Sequence, residues 1–95
     1  MKKGYWIVHV DVTDPENYPK YLAADAIAFE KYDAVFLVRG GEMTGPEGTV
    51  RKRHVVIEFE SYQTALDCYN SPEYQAAARL RQQFSDSDIV IAEGT

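Results

Sequence analysis

The 95-residue chain has the length of one domain, and at that size only roughly 60–65% of the unfolded surface can be buried, which leaves a thin core. Its formal charge of −5 argues against a nucleic-acid phosphate binder, which needs a basic face; the one basic cluster, Arg51-Lys52-Arg53, reads as a solvated turn. No apolar run reaches the length of a membrane span, the single cysteine, Cys68, has no intramolecular partner, and no apolar stretch of signal-peptide type follows Lys2-Lys3. A cytoplasmic single domain over residues 1–95, without nucleic-acid or membrane partners, is expected.

Tyr5 to Val12 alternates, with Trp6, Val8, Val10 and Val12 on one apolar face and Tyr5, Ile7, His9 and Asp11 on a mixed one, which predicts a strand. Thr13-Asp14-Pro15-Glu16 is a helix-start signal, with Asp14 as cap and Pro15 at the first helical position. Tyr18, Tyr21, Leu22, Asp25, Phe29 and Tyr32 then recur at helical spacing and form one stripe. Asp25 is an acid where an apolar residue is expected. Pro19 lies near enough to the helix start to leave only its first turn irregular.

Ala34 to Gly41 and Arg53 to Phe59 are two apolar, β-branched arms, and the glycines between them mark a chain reversal. Ser61 can cap a second helix with Tyr62, Ala65, Leu66 and Tyr69 inward. Ser71 and Pro72 then start a further segment, or a kink, that continues through Tyr74, Ala77, Leu80, Arg81 and Phe84. Ser85-Asp86-Ser87-Asp88 reads as a turn before a short last strand, Ile89-Val90-Ile91-Ala92.

The order βαββαβ predicts an α+β, ferredoxin-like sandwich: a four-stranded antiparallel sheet with its helices on one face. The other face has no helices to cover it, yet its strands carry apolar residues. A homodimer whose sheet faces close on each other into a dimeric α/β barrel would bury them.

The chain resembles the family catalogued as domain of unknown function 1330, within the dimeric α/β-barrel superfamily. The resemblance spans nearly the whole chain. It is carried by Asp14-Pro15-Glu16 with Tyr18 and Tyr21, Phe36-Leu37-Val38-Arg39-Gly40-Gly41, Glu47-Gly48, and Arg53 with Val55-Val56-Ile57-Glu58-Phe59. Tyr69-Asn70-Ser71-Pro72-Glu73-Tyr74 and Glu93-Gly94 complete it. Two departures stand out. Asp33-Ala34 replaces a Gly-Gly pair before the second strand, and Val50-Arg51-Lys52 replaces an aromatic and a proline in the following loop. The resemblance implies the fold and the dimer, and no settled activity.

Several residues carry the chemistry. Arg39, at the end of the second strand and before two glycines, can present its planar fork to a carboxylate or phosphate; the bland alternative is a salt bridge to Asp25 or Glu58. Arg53, in a matching segment, joins it as a ligand-binding candidate. Asp25, with Tyr21 one turn earlier, faces the sheet, where desolvation would raise its pKa and suit it to proton transfer; otherwise it reaches water at the stripe's edge. His9 and His54 lie on neighbouring strands, and His54 is a second candidate for moving a proton. With Glu58 they would make a two-histidine, one-carboxylate metal set, although two such histidines commonly hydrogen-bond or line a dimer seam. No metal or cofactor is expected. Ser71, as a helix cap beside free amides, and Tyr74 complete the binding candidates. Cys68 has neither a base nor a basic neighbour. The seven tyrosines suit the lining of a pocket for an aromatic or oxygenated molecule, and equally an ordinary core. Two functions fit: an enzyme without an organic cofactor, acting on a small anionic or aromatic metabolite in a cleft between helices and sheet, or a non-catalytic dimeric metabolite-binding module.

Overall fold

In the structure, a computed structural model that describes residues 2–95, the elements run β1 (Gly4–Val12), α1 (Tyr18–Lys31), β2 (Val35–Arg39), β3 (Arg53–Phe59), α2 (Tyr62–Asn70), α3 (Pro72–Phe84) and β4 (Ser85–Glu93). The strands make one sheet in the order β2-β3-β1-β4, with each neighbouring pair antiparallel. This is the ferredoxin-like topology, in which each βαβ crossover leaves room for one strand between its two. Within one chain the sheet is open, with β2 and β4 as its edges.

The alternation in β1 decides which face is covered. Trp6 lies between Ile57 and Ile91, and Val8 between Val55 and Ile89. These residues meet Tyr21, Phe29, Ala65 and Tyr74 from the helices in one core. Trp6 is fully buried, packs edge-on against Phe29 and Tyr74, and donates its indole N–H to the Ala65 carbonyl at 2.9 Å. On the opposite face Val35, Leu37, Val38 and Val90 remain 42–52% exposed. The molecule is a slab, 35 × 31 × 17 Å, with one bare face.

The second crossover is two helices, as its serine and proline signals predict. Ser61 Oγ accepts from the Thr64 amide and Ser71 Oγ from the Tyr74 amide, and Pro72 opens α3. Three local expectations are corrected. Asp14 does cap, accepting from the Asn17 amide at 3.2 Å, but what it caps is a turn; α1 begins at Tyr18. Pro19 has no N–H to give the Pro15 carbonyl, so the regular ladder starts only after it. Ser85 to Asp88 is strand rather than turn, because β1 is long enough to pair with all four residues. Tyr62 is exposed, and Cys68 takes the buried position on α2.

Where the family resemblance led us to expect a glycine pair, Asp33 adopts φ +54. This is the left-handed conformation a glycine would take freely, and aspartate is among the few other residues that tolerate it. Residues 40–52 connect β2 to β3 without regular structure. Among the described residues no helix is long and apolar enough to cross a membrane.

Candidate functional site

The inward stripe of α1 lies over β1, β3 and β2, and a cleft opens between helix and sheet. Its walls are apolar, formed by Trp6, Val8, Phe29, Phe36 and Ile57 among others, and Asp25, Arg39 and Arg53 are set into them. Counting the open mouth, the empty space is about 400 Å³; the interior alone is about 20 Å³, room for roughly one water molecule. The mouth continues as a groove between α1 and β2, past Glu30, Asp33 and Val35.

Arg39 reaches this cleft because of a β-bulge. Phe36 pairs with Ile57, but Val38 pairs with Val56 and Arg39 with Val55, so β2 has one extra residue between Phe36 and Val38. Strict alternation from Phe36 would place Val38 toward the helices and Arg39 on the open face. The bulge reverses both. The Arg39 guanidinium, exposed at the mouth, stacks over the Phe36 ring at 4.0 Å. Arg53 lies opposite Val10 and so on the helix side too. It packs against Gly40, which has φ +67 and no room for a Cβ beside the Arg53 guanidinium. Any other residue at Gly40 would meet backbone strain and would have to displace the Arg53 guanidinium.

Asp25 is 5% exposed. Burial raises its carboxyl from 3.8 to about 7, against the opposing pull of Arg39, the Tyr21 hydroxyl and Arg53. The salt bridge from Arg39 to Asp25 or Glu58 is not formed: the ion pairs among the described residues are Lys31–Glu73, Arg51–Asp11 and Arg51–Asp88. Arg53 Nε is buried with no hydrogen-bond partner among the described residues. A carboxyl that can titrate near neutrality therefore faces two guanidiniums that hold spare donors.

Behind Asp25 the Tyr21 hydroxyl meets that of Tyr74 at 2.8 Å, and Arg81 Nη1 donates to the Tyr74 oxygen at 2.6 Å. Arg81 is only 5% exposed. Nothing in the sequence reading singled it out, although a cation on the apolar stripe of α3 is the same signal that marks Asp25 on α1. Tyr18 was also passed over as a site residue, and it lines the cleft beside Arg53.

The remaining candidates lie elsewhere. Ser71 is buried with its hydroxyl committed, donating to the Cys68 carbonyl at 2.6 Å and accepting from the Tyr74 amide, so it is a structural cap and not part of the cleft. His54 follows Arg53 on β3 and therefore points to the opposite face of the sheet from Asp25. Within one chain the two cannot act on one bound molecule. His54 faces His9, Nδ1 to Nδ1 at 2.7 Å, and its Nε2 meets the Arg51 carbonyl at 2.7 Å. A carbonyl only accepts, so in the neutral pair His54 Nε2 carries a proton and His9 Nδ1 donates to His54 Nδ1. Glu58 accepts from the Tyr5 hydroxyl at 3.2 Å instead of joining the histidines, and among the described residues no cluster of three or more metal-ligating side chains forms. Burial pushes the Cys68 thiol up to about 12, which leaves it inert.

Fold and cleft together define a ferredoxin-like α+β domain with a buried acid between helix and sheet. The chain belongs to the family described as Domain of unknown function (DUF1330), whose model matches residues 3–95. No curated protein matches it. Among solved structures it is similar to a protein of unknown function from Rhodopseudomonas palustris, at 17% identity and TM-score 0.73, covering 99% of this chain and 83% of that one. It is also similar to SnoaB, a cofactor-independent oxygenase from Streptomyces nogalater, at 13% identity and TM-score 0.63, covering 97% and 92%. A third is a dimeric ferredoxin-like protein of unknown function from Thermobifida fusca, at 15% identity and TM-score 0.55, covering 96% and 90%. At these identities the likeness is one of fold.

The raised Asp25 carboxyl has a consequence for stability. Between pH 3.8 and about 7 the folded protein holds a proton that the unfolded chain releases, so this group lowers stability as pH rises through that window. At roughly 1.4 kcal/mol per tenfold, the loss is bounded at roughly 4 kcal/mol. Asp25→Asn cannot titrate, so its stability relative to wild type should improve by about 1–4 kcal/mol between pH near 4.5 and pH near 8. Urea unfolding at both pH values and fixed protein concentration measures this, and a pH-independent difference would show an ordinary, solvated carboxyl.

Proposed function

We propose that the chain binds a small anionic or aromatic metabolite in the cleft and that Asp25 moves a proton on it, without an organic cofactor. The observation that carries this reading is the Asp25 carboxyl itself, 5% exposed, in no ion pair among the described residues, and raised to about 7. A buried carboxyl without a salt-bridge partner lowers stability, and an apolar residue there would raise it. An acid poised near neutral pH is what general acid–base chemistry requires.

Arg39 and Arg53 stand where the substrate's anionic group would sit, with Arg53 Nε awaiting an acceptor. The aromatic walls and the Tyr18 and Tyr21 hydroxyls suit a planar, oxygenated body. A protein of the same fold is described as a cofactor-independent oxygenase, and another, from Bacteroides thetaiotaomicron, as a possible oxidoreductase. The second reading is a binding module without turnover. The narrow interior favours it, since a ligand held at the mouth by the two arginines need not reach Asp25.

In the same proposal a second copy covers the bare sheet face. The exposed Val35, Leu37, Val38 and Val90 are the support from this chain, and the Thermobifida fusca neighbour is described as dimeric. Sedimentation should give a dimer for wild type and a monomer for Val38→Glu with Val90→Glu. A monomeric wild type at about 100 μM would overturn the pairing, since a stable interface of standard size holds well below that concentration.

A thermal-shift screen of small anionic and aromatic compounds tests the site. A true ligand raises the melting temperature with concentration, by the ratio of concentration to Kd, and loses most of that effect in Arg39→Ala. Turnover of such a compound should rise with pH through about 7, as Asp25 loses its proton, and disappear in Asp25→Asn. Binding without turnover supports the module. Hits indifferent to both arginines, or no hit at all, would remove the cleft as a site.

A further inference from the structure

We propose that the bare sheet face closes on a second copy of the chain while His9 and His54 are joined by their N–H···N hydrogen bond, and opens when both imidazoles are charged. This rests on the reading that a second copy covers that face, and not on the role of Asp25.

The register gives the face its pattern. Val38 lies opposite Val56, Val56 opposite Ile7 and Ile7 opposite Val90, so one apolar row crosses all four strands. A row with polar groups flanks it on each side. One holds Glu58 and Tyr5, joined through the tyrosine hydroxyl at 3.2 Å; the other holds His54, His9 and Asp88, side by side on β3, β1 and β4. A two-fold copy laid on this face brings apolar row to apolar row and leaves the polar rows around the seam. Val38 and Val90, 42% and 52% exposed, gain most from that cover.

The histidine pair suits such cover in one protonation range only. His54 Nε2 gives its proton to the Arg51 carbonyl at 2.7 Å, which leaves His54 Nδ1 to accept from His9 Nδ1, also at 2.7 Å. No N–H of the neutral pair is stranded, so the pair can lose its water. A first added proton goes to His9 Nε2 and keeps the bond. A second can go only to His54 Nδ1, where two N–H groups then point at each other across 2.7 Å.

The charges around the pair sharpen this. They are Asp11 on β1, Asp88 on β4 and Arg51 from the connection before β3; Asp86, opposite Asp11, lies one row further out. Arg51 holds Asp11 at 3.0 Å and Asp88 at 2.9 Å. Two carboxylates and one guanidinium leave one negative charge, which one imidazolium balances. A second imidazolium has no counter-charge within this group, and covering it is costly. Asp11 is held below the usual carboxylate range, chiefly by the Lys52 amide, so it stays ionised while the imidazoles charge. The covered face therefore binds fewer protons than the open one, and pairing weakens as pH falls.

Sedimentation of the full chain at about pH 8 and about pH 5 brackets the charging of imidazoles. Wild type should pair at pH 8 and should pair roughly tenfold to a hundredfold more weakly at pH 5, from one lost hydrogen bond in each copy. His9→Gln should pair at both, because its amide can turn to offer an N–H to neutral His54 or its oxygen to charged His54. Asp25, on the helix side of the sheet, titrates in the same window, so Asp25→Asn is the control and should keep the wild-type response. Nitrogen-15 NMR of the imidazoles gives a reading that needs no variant, with coupling across the N–H···N bond at pH 8 and none at pH 5. Coupling that is missing at pH 8 or kept at pH 5, equal wild-type pairing at both, or the same weakening in His9→Gln would overturn the switch and spare the dimer. A wild type that is monomeric at about 100 μM and pH 8 would overturn both.

Discussion

The cleft depends on one extra residue in β2. A strand alternates its side chains strictly, so without the bulge between Phe36 and Val38 the cation of Arg39 would lie on the bare face of the sheet and Val38 would lie in the cleft. With it, Phe36 and Arg39 stand on the same side, the guanidinium stacks on the ring, and Val38 joins the apolar surface opposite. Gly40 then takes a left-handed turn against the Arg53 side chain. Bulge and glycine together hold two cations on the helix side of the sheet, facing the one acid on the inward stripe of α1.

That acid runs against the needs of a small core. A domain of this size has little buried area to spare, yet Asp25 occupies a core position at which burial penalises its charge. Arg81 repeats the pattern on α3, as a buried cation in no ion pair among the described residues. The chain as a whole is acidic, with a formal charge of −5, but the surroundings of Asp25 are cationic, with Arg39 and Arg53 in front and Arg81 behind. A local excess of positive charge with low-dielectric walls draws in anions. Polar groups that reduce stability and are left partly unsatisfied are the places to seek a functional site.

Much of this was legible in the chain. Strict alternation in β1, the two serine caps and the inward stripe of α1 are local signals, and each held. The neighbouring of β1 and β3, which brings His9 opposite His54, follows from topology alone. What was hidden is non-local. Val35, Leu37 and Val38 are all apolar, so nothing in β2 betrays an inserted residue, and the direction of Arg39 could not be read. Ser85 to Asp88 has turn composition, but β1 supplies a paired ladder and Arg51 bridges Asp11 and Asp88 where like charges line up. The separation of His54 from Asp25 was legible: Arg53 and His54 are consecutive in a strand and cannot share a face. The inward position of Arg81 on α3 was legible too, and with it a buried charge.

The cleft and the bare face lie on opposite sides of the sheet, and one measurement tells a ligand in the cleft from a ligand on the bare face. Backbone amide NMR of the labelled protein, titrated with the first compound that raises its melting temperature, reports where that compound sits. Shift changes clustered at Tyr18, Asp25, Arg39, Gly40 and Arg53, saturating with one dissociation constant, are the expected result. Changes confined to His9, His54, Val56 and Val90 on the opposite face, with the cleft residues still, would contradict a site at Asp25.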